Sequence, residues 1–455
     1  MLTDLLAEYA TGPGSTSGPE VADLAARAIA DTVGVALAGR DAPVVRSLTA
    51  ALDPSPGPCS VIDGTRADLR SAVMINGTAA HALDYDDVDD ALIAHPSAVL
   101  VPAILAVGEL TGASGARVCE AYWRGLVTMR ALAAALDIRR HYALGWHATG
   151  TLGVMGATAA ACHVLGVDAR TARHALGIAA SRAAGSRQNF GSMTKPLHAG
   201  TAAADGVLAA RAAAHGLTAN PEQLDGPFGF VALYSGASRE WTDVAHRTAV
   251  AAAAAVLAAP GPAALNVKLR PCCYATDATA EAALQLAADG IDPTAITAVH
   301  VRVPPGGLDP LISHPPRTGL EAKFSLPHVV ALSLLDGQLR IGSFTDESVA
   351  RPEIRALADL VRATTDLPTA AARPTGLDCR ADVTVHQGGR ASVTAACDQP
   401  LGHAQRPADD ATLRAKFEDC ALVAGVPDPD ELYKRLLDVA SLPRIQEATD
   451  LLAGL

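Results

Sequence analysis

Apolar residues recur three and four positions apart over most of the first 260 positions, the spacing that gathers side chains on one stripe of a helix. Val21, Leu24, Ala25, Ala28 and Ile29 set this pattern between the start signals Ser17 and Pro19 and a stop at Gly39. The same spacing predicts helices over 98–110, 118–136, 151–165, 169–181, 201–215 and 245–259, and no alternating strand pattern stands out between 20 and 259. At Ala259-Pro260-Gly261-Pro262 two prolines and a glycine end the last of these helices and predict a hinge. Beyond it, Val299, Val301 and Val303 alternate with His300 and Arg302, a half-buried strand closed by Pro304 and Pro305. Val383 and Val385 lead through Gly388-Gly389 into 392–396, a hairpin pattern. From residue 412 onward Leu413, Phe417, Leu422, Leu432, Leu436 and Leu437 return to helical spacing. The expected fold is mainly α with α+β: a helical domain over 1–259, a mixed segment over 263–405, and C-terminal helices over 412–455 that rejoin the first body.

Composition narrows the function. With 455 residues, 49% hydrophobic and 18% charged, the chain can bury more than one core. Aromatic residues are only 4%, so packing falls to Ala, Leu, Val and Gly, which suits closely approaching helices. A net charge of −12 provides no general field for a polyphosphate backbone, so nucleic acid is not an expected partner. The start, MLTDLLAEYATG, lacks a basic stretch followed by a long apolar one, and the most apolar run, 249–259, stops at Pro260, short of the roughly 20 residues a bilayer span needs. The expectation is a soluble, cytoplasmic protein with no membrane partner. Eight cysteines are too sparse for a disulfide scaffold, and Cys272-Cys273 is neither a CxxC pair nor matched by a second pair at zinc spacing, so buried reduced thiols are expected.

The densest polar feature runs from His81 through Asp84, Asp86, Asp87, Asp89 and Asp90, with Ala94-His95-Pro96-Ser97 just after. So many carboxylates repel one another unless a cation or water meets them. A magnesium site is one reading, because Asp86, Asp87 and Asp90 spell the DDxxD of terpene synthases; the second metal motif and the aromatic pocket such an enzyme needs are missing. An EF-hand fails because Val88 falls where a ligand is required, and no metal ligands are assigned. A solvated loop with an aspartate capping the next helix is the second reading. The third places Asp84 and His95 in a catalytic pocket. His147, in a short polar turn before a helix, is positioned to meet an anion. Lys195 stands in a polar loop, 187–200, and precedes Pro196, which predicts an extended backbone and an ammonium free to grip an anion or act as an acid. The segment 266–277, with Lys268, Arg270, the two cysteines and Asp277, follows the hinge and is placed to close over a ligand; no adjacent histidine activates its thiols.

NGTAAHALDYDD at 76–87, HPS at 95–97, GWHATGTLG at 145–153, NFGSMTKPLHAG at 189–200, KLRPCCYAT at 268–276, EAKFSLPH at 321–328 and LRAKF at 413–417, in this order, resemble the MmgE/PrpD family. That family includes 2-methylcitrate dehydratase, cis-aconitate decarboxylase and iminodisuccinate epimerase. The resemblance implies a large all-helical domain built from both chain ends, a smaller α+β lid, a homodimer and no obligatory cofactor. It also implies a pocket between the domains that receives Asp84, His95, His147 and Lys195, all present here. The chain departs from the family pattern at Val88, Asp277 and His328, where threonine, histidine and tyrosine are usual, and carries Arg270 where an aromatic is common. With Lys268 these make up the expected substrate-binding set. Asp277 adds negative charge that penalises a substrate carboxylate, and Arg270 and His328 are expected to return positive charge elsewhere.

The reactions of the family share the making or quenching of a carbanion beside a carboxylate or imine. The expected activity is therefore a cofactor-independent hydro-lyase on a small hydroxylated polycarboxylic acid, with His147 or Asp84 as base and Lys195 and His95 as anion grips or proton donors. Decarboxylation and epimerisation are the alternatives in the same pocket. A carboxylate-binding protein without catalysis and a metal-dependent lyase are the alternatives of other classes.

Overall fold

Small residues set the architecture of the larger body. In the computed structural model, which describes residues 1–12, 18–237, 241–262, 264–368 and 378–453, the helices Leu69–Ala82 and Thr194–Ala214 touch at Gly77 and Gly200; a Cβ on Gly77 would stand 2.9 Å from the Gly200 Cα. Gly125 and Gly156 bring Gly115–Leu136 against Gly153–Leu165 in the same way. Helix Pro19–Gly39 begins at its proline; Ser17, read as a start signal, lies outside the described residues. The apolar core of this body draws on residues from Leu2 to Leu265 and again from Phe417 to Leu452. The C-terminal helix Asp410–Val423 lies on Pro19–Gly39, with Phe417 packed over Gly34 and the Lys416 ammonium 2.6 Å from Asp31. Lys416 also donates to the Tyr85 carbonyl at 2.9 Å, which braces the acidic loop from behind.

A second apolar core gathers residues from Cys272 to Cys397. Its sheet runs in the order Val361–Thr364, Ile296–Arg302, Ala381–Gln387, Val393–Cys397; the first pair is parallel and the others antiparallel. The last two strands are the hairpin expected from the sequence, and buried positions alternate strictly along Ala381–Gln387. All eight cysteines are buried free thiols.

Four sequence expectations change. Lys195 is not in an extended loop: Thr194–Ala214 starts one residue earlier and takes Pro196 into its first turn, where the missing N–H costs nothing. A two-residue hairpin, Cys59–Ser60 with Arg66–Ala67, stands where no strand was expected. The apolar window that reaches bilayer length is Ala148–Leu165, not 249–259, and it is an interior stretch of the helical body, 89% buried. At the expected hinge, Asp243–Ala258 does end, but the Arg130 guanidinium ties the segment down by donating to the carbonyls of Pro260 and Pro262, both at 3.0 Å.

Candidate active site

Leu69–Ala82 ends with His81 in its last turn, and the chain then leaves the helix through Asp84 in the left-handed region, φ +51°. That conformation is uncommon for a residue with a side chain, though aspartate tolerates it better than most, and here it is over-determined. Lys268 donates to both the Asp84 backbone carbonyl and, at 3.0 Å, to Oδ2, while Lys195 binds Oδ1. Asp84, Lys195 and Lys268 are all buried, Lys268 completely. Burial alone would raise the Asp84 carboxyl, but Lys195 and then Lys268 outweigh it and hold the group well below its usual range.

The acidic run splits residue by residue. Asp86 accepts from His81 Nδ1 at 2.9 Å and lies 3.3 Å from His95 Nδ1; these two rings hold its carboxyl well below normal against the burial that would raise it. Asp87 turns away to Ser97, whose hydroxyl lies 2.6 Å from the Tyr122 hydroxyl, and burial pushes its carboxyl up to about 8. Asp89 pairs with Arg130 at 2.7 Å, and Asp90 accepts from Asn266 at 2.7 Å. The three aspartates of DDxxD therefore face three different partners, which removes the diphosphate reading. Asp84, Asp86, Asp87 and Asp89 are all at most 4% exposed, so the solvated-loop reading fails too.

His147 precedes the short helix Ala148–Thr151, held by its backbone N–H to Gly185 O at 3.1 Å. Its Nδ1 lies 3.0 Å from His198 Nδ1, so one ring must donate and the other accept, and Nε2 is left for the cleft. Burial first, then Lys195, His81, His198 and His95, depress the His147 imidazole well below its usual value. The Lys195 ammonium stands over two aromatic faces, 5.3 Å from the Phe190 centroid and 5.1 Å from that of Phe324. His95, His147, Lys195 and Val88 line one cleft with Phe190, from the helical body, and Cys273 and Phe324, from beyond the hinge. The cleft holds only about 40 Å³, while cavities of about 750 and 930 Å³ lie elsewhere. This small cleft is the candidate site, because the charged and imidazole groups meet there.

The structure thus brings Asp84, His95, His147 and Lys195 together, with Lys268 behind Asp84 and Val88 in the wall. Val88 is fixed by paired backbone hydrogen bonds with Asn266, 2.9 Å each way, which tie the acidic loop to the segment beyond the hinge. The other residues expected to bind substrate do not line this cleft. Arg270 turns onto Asp277 and reaches Glu281 at 3.3 Å, so the extra acid neutralises the extra base and neither lines the cleft. His328 lies in a separate cavity that shares no lining residue with this one. His81 and His198 were missed by sequence reasoning; His198 follows Lys195 by three positions on the same helix, a spacing that would have placed both on one face.

His81, Asp84, Asp86 and His95 offer ligand atoms within 4.8 Å of one another, a group able to surround a cation. Lys195 and Lys268 already occupy Asp84, so a divalent ion would have to displace an ammonium. Two buried carboxylates matched by two buried ammoniums, beside imidazoles held neutral, suit an anion with protons to exchange better than a metal.

The model of the MmgE/PrpD N-terminal domain matches residues 4–242 and that of the MmgE/PrpD C-terminal domain residues 271–436. A cis-aconitate decarboxylase of Mus musculus is 30% identical over 420 residues, covering 86% of this chain and 80% of that protein. The Homo sapiens cis-aconitate decarboxylase is 28% identical over 401 residues, with 84% and 79% covered, and that of Aspergillus terreus 23% over 418, with 87% and 83%. Models of both family domains match in order over most of the chain, and the chain belongs to the MmgE/PrpD family.

Proposed function

We propose that this chain is a lyase acting on a small polycarboxylic acid through a carbanion beside a carboxylate, and that its branch is loss of carbon dioxide. The convergence of His95, His147 and Lys195 on one small cleft carries the reading of carbanion chemistry. The names of the relatives favour decarboxylation over the dehydration expected from the sequence. In that step a carbon–carbon bond breaks, carbon dioxide leaves, and the electron pair stays on the skeleton, spread onto the adjacent carboxylate as an enolate. Lys195 holds the developing oxyanion, and His147, onto which the bound polyanion draws a proton from solvent, delivers that proton through Nε2 to the carbon and returns to the neutral imidazole. Asp84 is a poor base because two ammoniums hold it ionised; its role is to fix Lys195.

Offering cis-aconitate, 2-methylcitrate and iminodisuccinate separately in deuterium oxide and following each by proton NMR tests the assignment. Carbon dioxide release from cis-aconitate with one deuterium in the product is expected. Collapse of the 2-methylcitrate methyl doublet to an allylic singlet, or a new vinyl signal, with all carbon retained, or exchange of the iminodisuccinate α-proton without net loss, would replace the branch. Binding without turnover of any of the three would remove catalysis altogether.

A further inference from the structure

The cavity of about 930 Å³ lies in the smaller body, within the size range of small-molecule sites. Its charged wall is mostly cationic, Arg317, Arg355 and Arg362 against the single carboxylate of Asp359, with the imidazoles of His314 and His328 beside them. In a chain of net charge −12 that concentration is against the average. None of the three guanidiniums makes an ion pair among the described residues. Arg355 donates to the Val349 carbonyl at 2.9 Å and Arg362 to the carbonyls of Asp359 and Val361 at 2.7 and 2.8 Å, which fixes both without neutralising them.

At the floor is His328, 2% exposed, whose buried Nε2 has no hydrogen-bond partner. A buried ring nitrogen left unpaired costs free energy unless a ligand completes it. His328 sits in the first turn of Leu326–Asp336, and the same turn's Leu326 and Pro327, with Ser325 before them, line the cavity beside it. Burial, and after it Arg351 and Arg355, push the His328 imidazole down to about 4, so the ring is neutral and its Nε2 contributes a hydrogen bond rather than a charge.

We infer that this cavity is a second ligand site, separate from the catalytic cleft, that binds a small multiply charged oxyanion through Arg317, Arg355 and Arg362, with His328 completing the contact from below. The chemistry is shared by phosphate-bearing metabolites and by di- and tricarboxylates. It does not depend on which reaction the cleft performs, since the two cavities have no lining residue in common.

Titration calorimetry of the full chain with inorganic phosphate and with citrate tests it. Wild type is expected to bind at least one probe, more weakly as salt rises. R317A/R355A, which changes only exposed side chains, should weaken that binding about tenfold or more, with melting temperature and turnover unchanged, and H328A should weaken it in the same direction. Phosphate alone or citrate alone responding identifies which oxyanion the cavity prefers. Binding that is absent for both probes, or unaltered in both variants, overturns the inference. So does a change in particle mass by light scattering with no change in binding, which would make the cavity a contact between subunits.

Discussion

Asp84→Asn keeps the shape of the side chain and removes the charge on which two buried ammoniums depend. Lys268, wholly buried with Nζ 3.0 Å from Oδ2, and Lys195, 4% exposed, would be left with Asp86 as the remaining nearby carboxylate. Breaking a buried pair from one side costs about 3–5 kcal/mol because the surviving charge stays desolvated. The sign of the pH dependence follows from Lys268. In the wild type, burial opposes its ammonium, but Asp84 and then Asp86 raise its pKa above the ordinary 10.5. That stabilisation is fully present below the unfolded pKa and is lost as pH rises through the raised folded one. In Asp84→Asn the burial remains and the chief counter-charge is gone, so the folded pKa drops below the unfolded one. The folded state then holds fewer protons than the unfolded chain, and stability climbs with pH towards the ordinary value. Urea denaturation followed by circular dichroism at pH 7 and pH 9 should show Asp84→Asn strongly destabilised at 7 and partly recovered at 9. Adding Lys268→Met in that background should restore part of the loss, as a double-mutant cycle requires. A loss below about 1 kcal/mol, or an equal loss at both pH values, would refute the view that this triad is held by charge.

His147→Asn should retain its fold and lose about 10²- to 10⁴-fold in the turnover of whichever acid proves to be the substrate, the usual worth of a positioned acid or base. His81 and His198 are held down to about 4 and His147 well below its normal value, so an incoming polyanion should draw protons onto this cluster. Calorimetry at pH 7 in buffers of different ionisation enthalpy should register net proton uptake, and none would contradict the site described. Asp87, raised to about 8, is protonated in the fold where the unfolded chain is ionised, so stability attributable to it falls as pH rises from about 4 to 8. Asp87→Asn should flatten that decline in thermal melts. Gly200→Ala would push a methyl into the Met74 carbonyl and Thr78, separating the helices that carry Lys195 and His81; a cost of about 1–3 kcal/mol and a loss of activity are expected.

Much of the fold was readable because helices packed on one side leave a 3.6-residue stripe. Leu69–Ala82 escaped for the opposite reason: eleven of its fourteen residues are buried, so it has no polar face to set the period. Lys195 was misplaced because a proline reads as a break, whereas in a first turn it is compatible with the helix. The family strings located the four principal site residues, but partnership was not legible. Asp84 and Lys268 are 184 positions apart, and nothing local announces that the acid belongs to a lysine beyond the hinge. Arg270 and Asp277, only seven positions apart, could have been read as a pair, and taking them for substrate contacts ignored the cheaper partner close at hand. Burial separated the aspartates of one run into a clamp for lysine, an imidazole holder and a protonated hydroxyl acceptor, roles that spacing cannot assign.

The brace supplied by Lys416 bears on how the molecule is made. Tyr85, next to Asp84, takes its hydrogen bond from a lysine 331 positions later. A ribosome must therefore release Lys416, 331 positions further on, before the acidic turn acquires its rear support. Products terminated before Lys416 that already contain every imidazole and amine of the centre would still emerge without that brace.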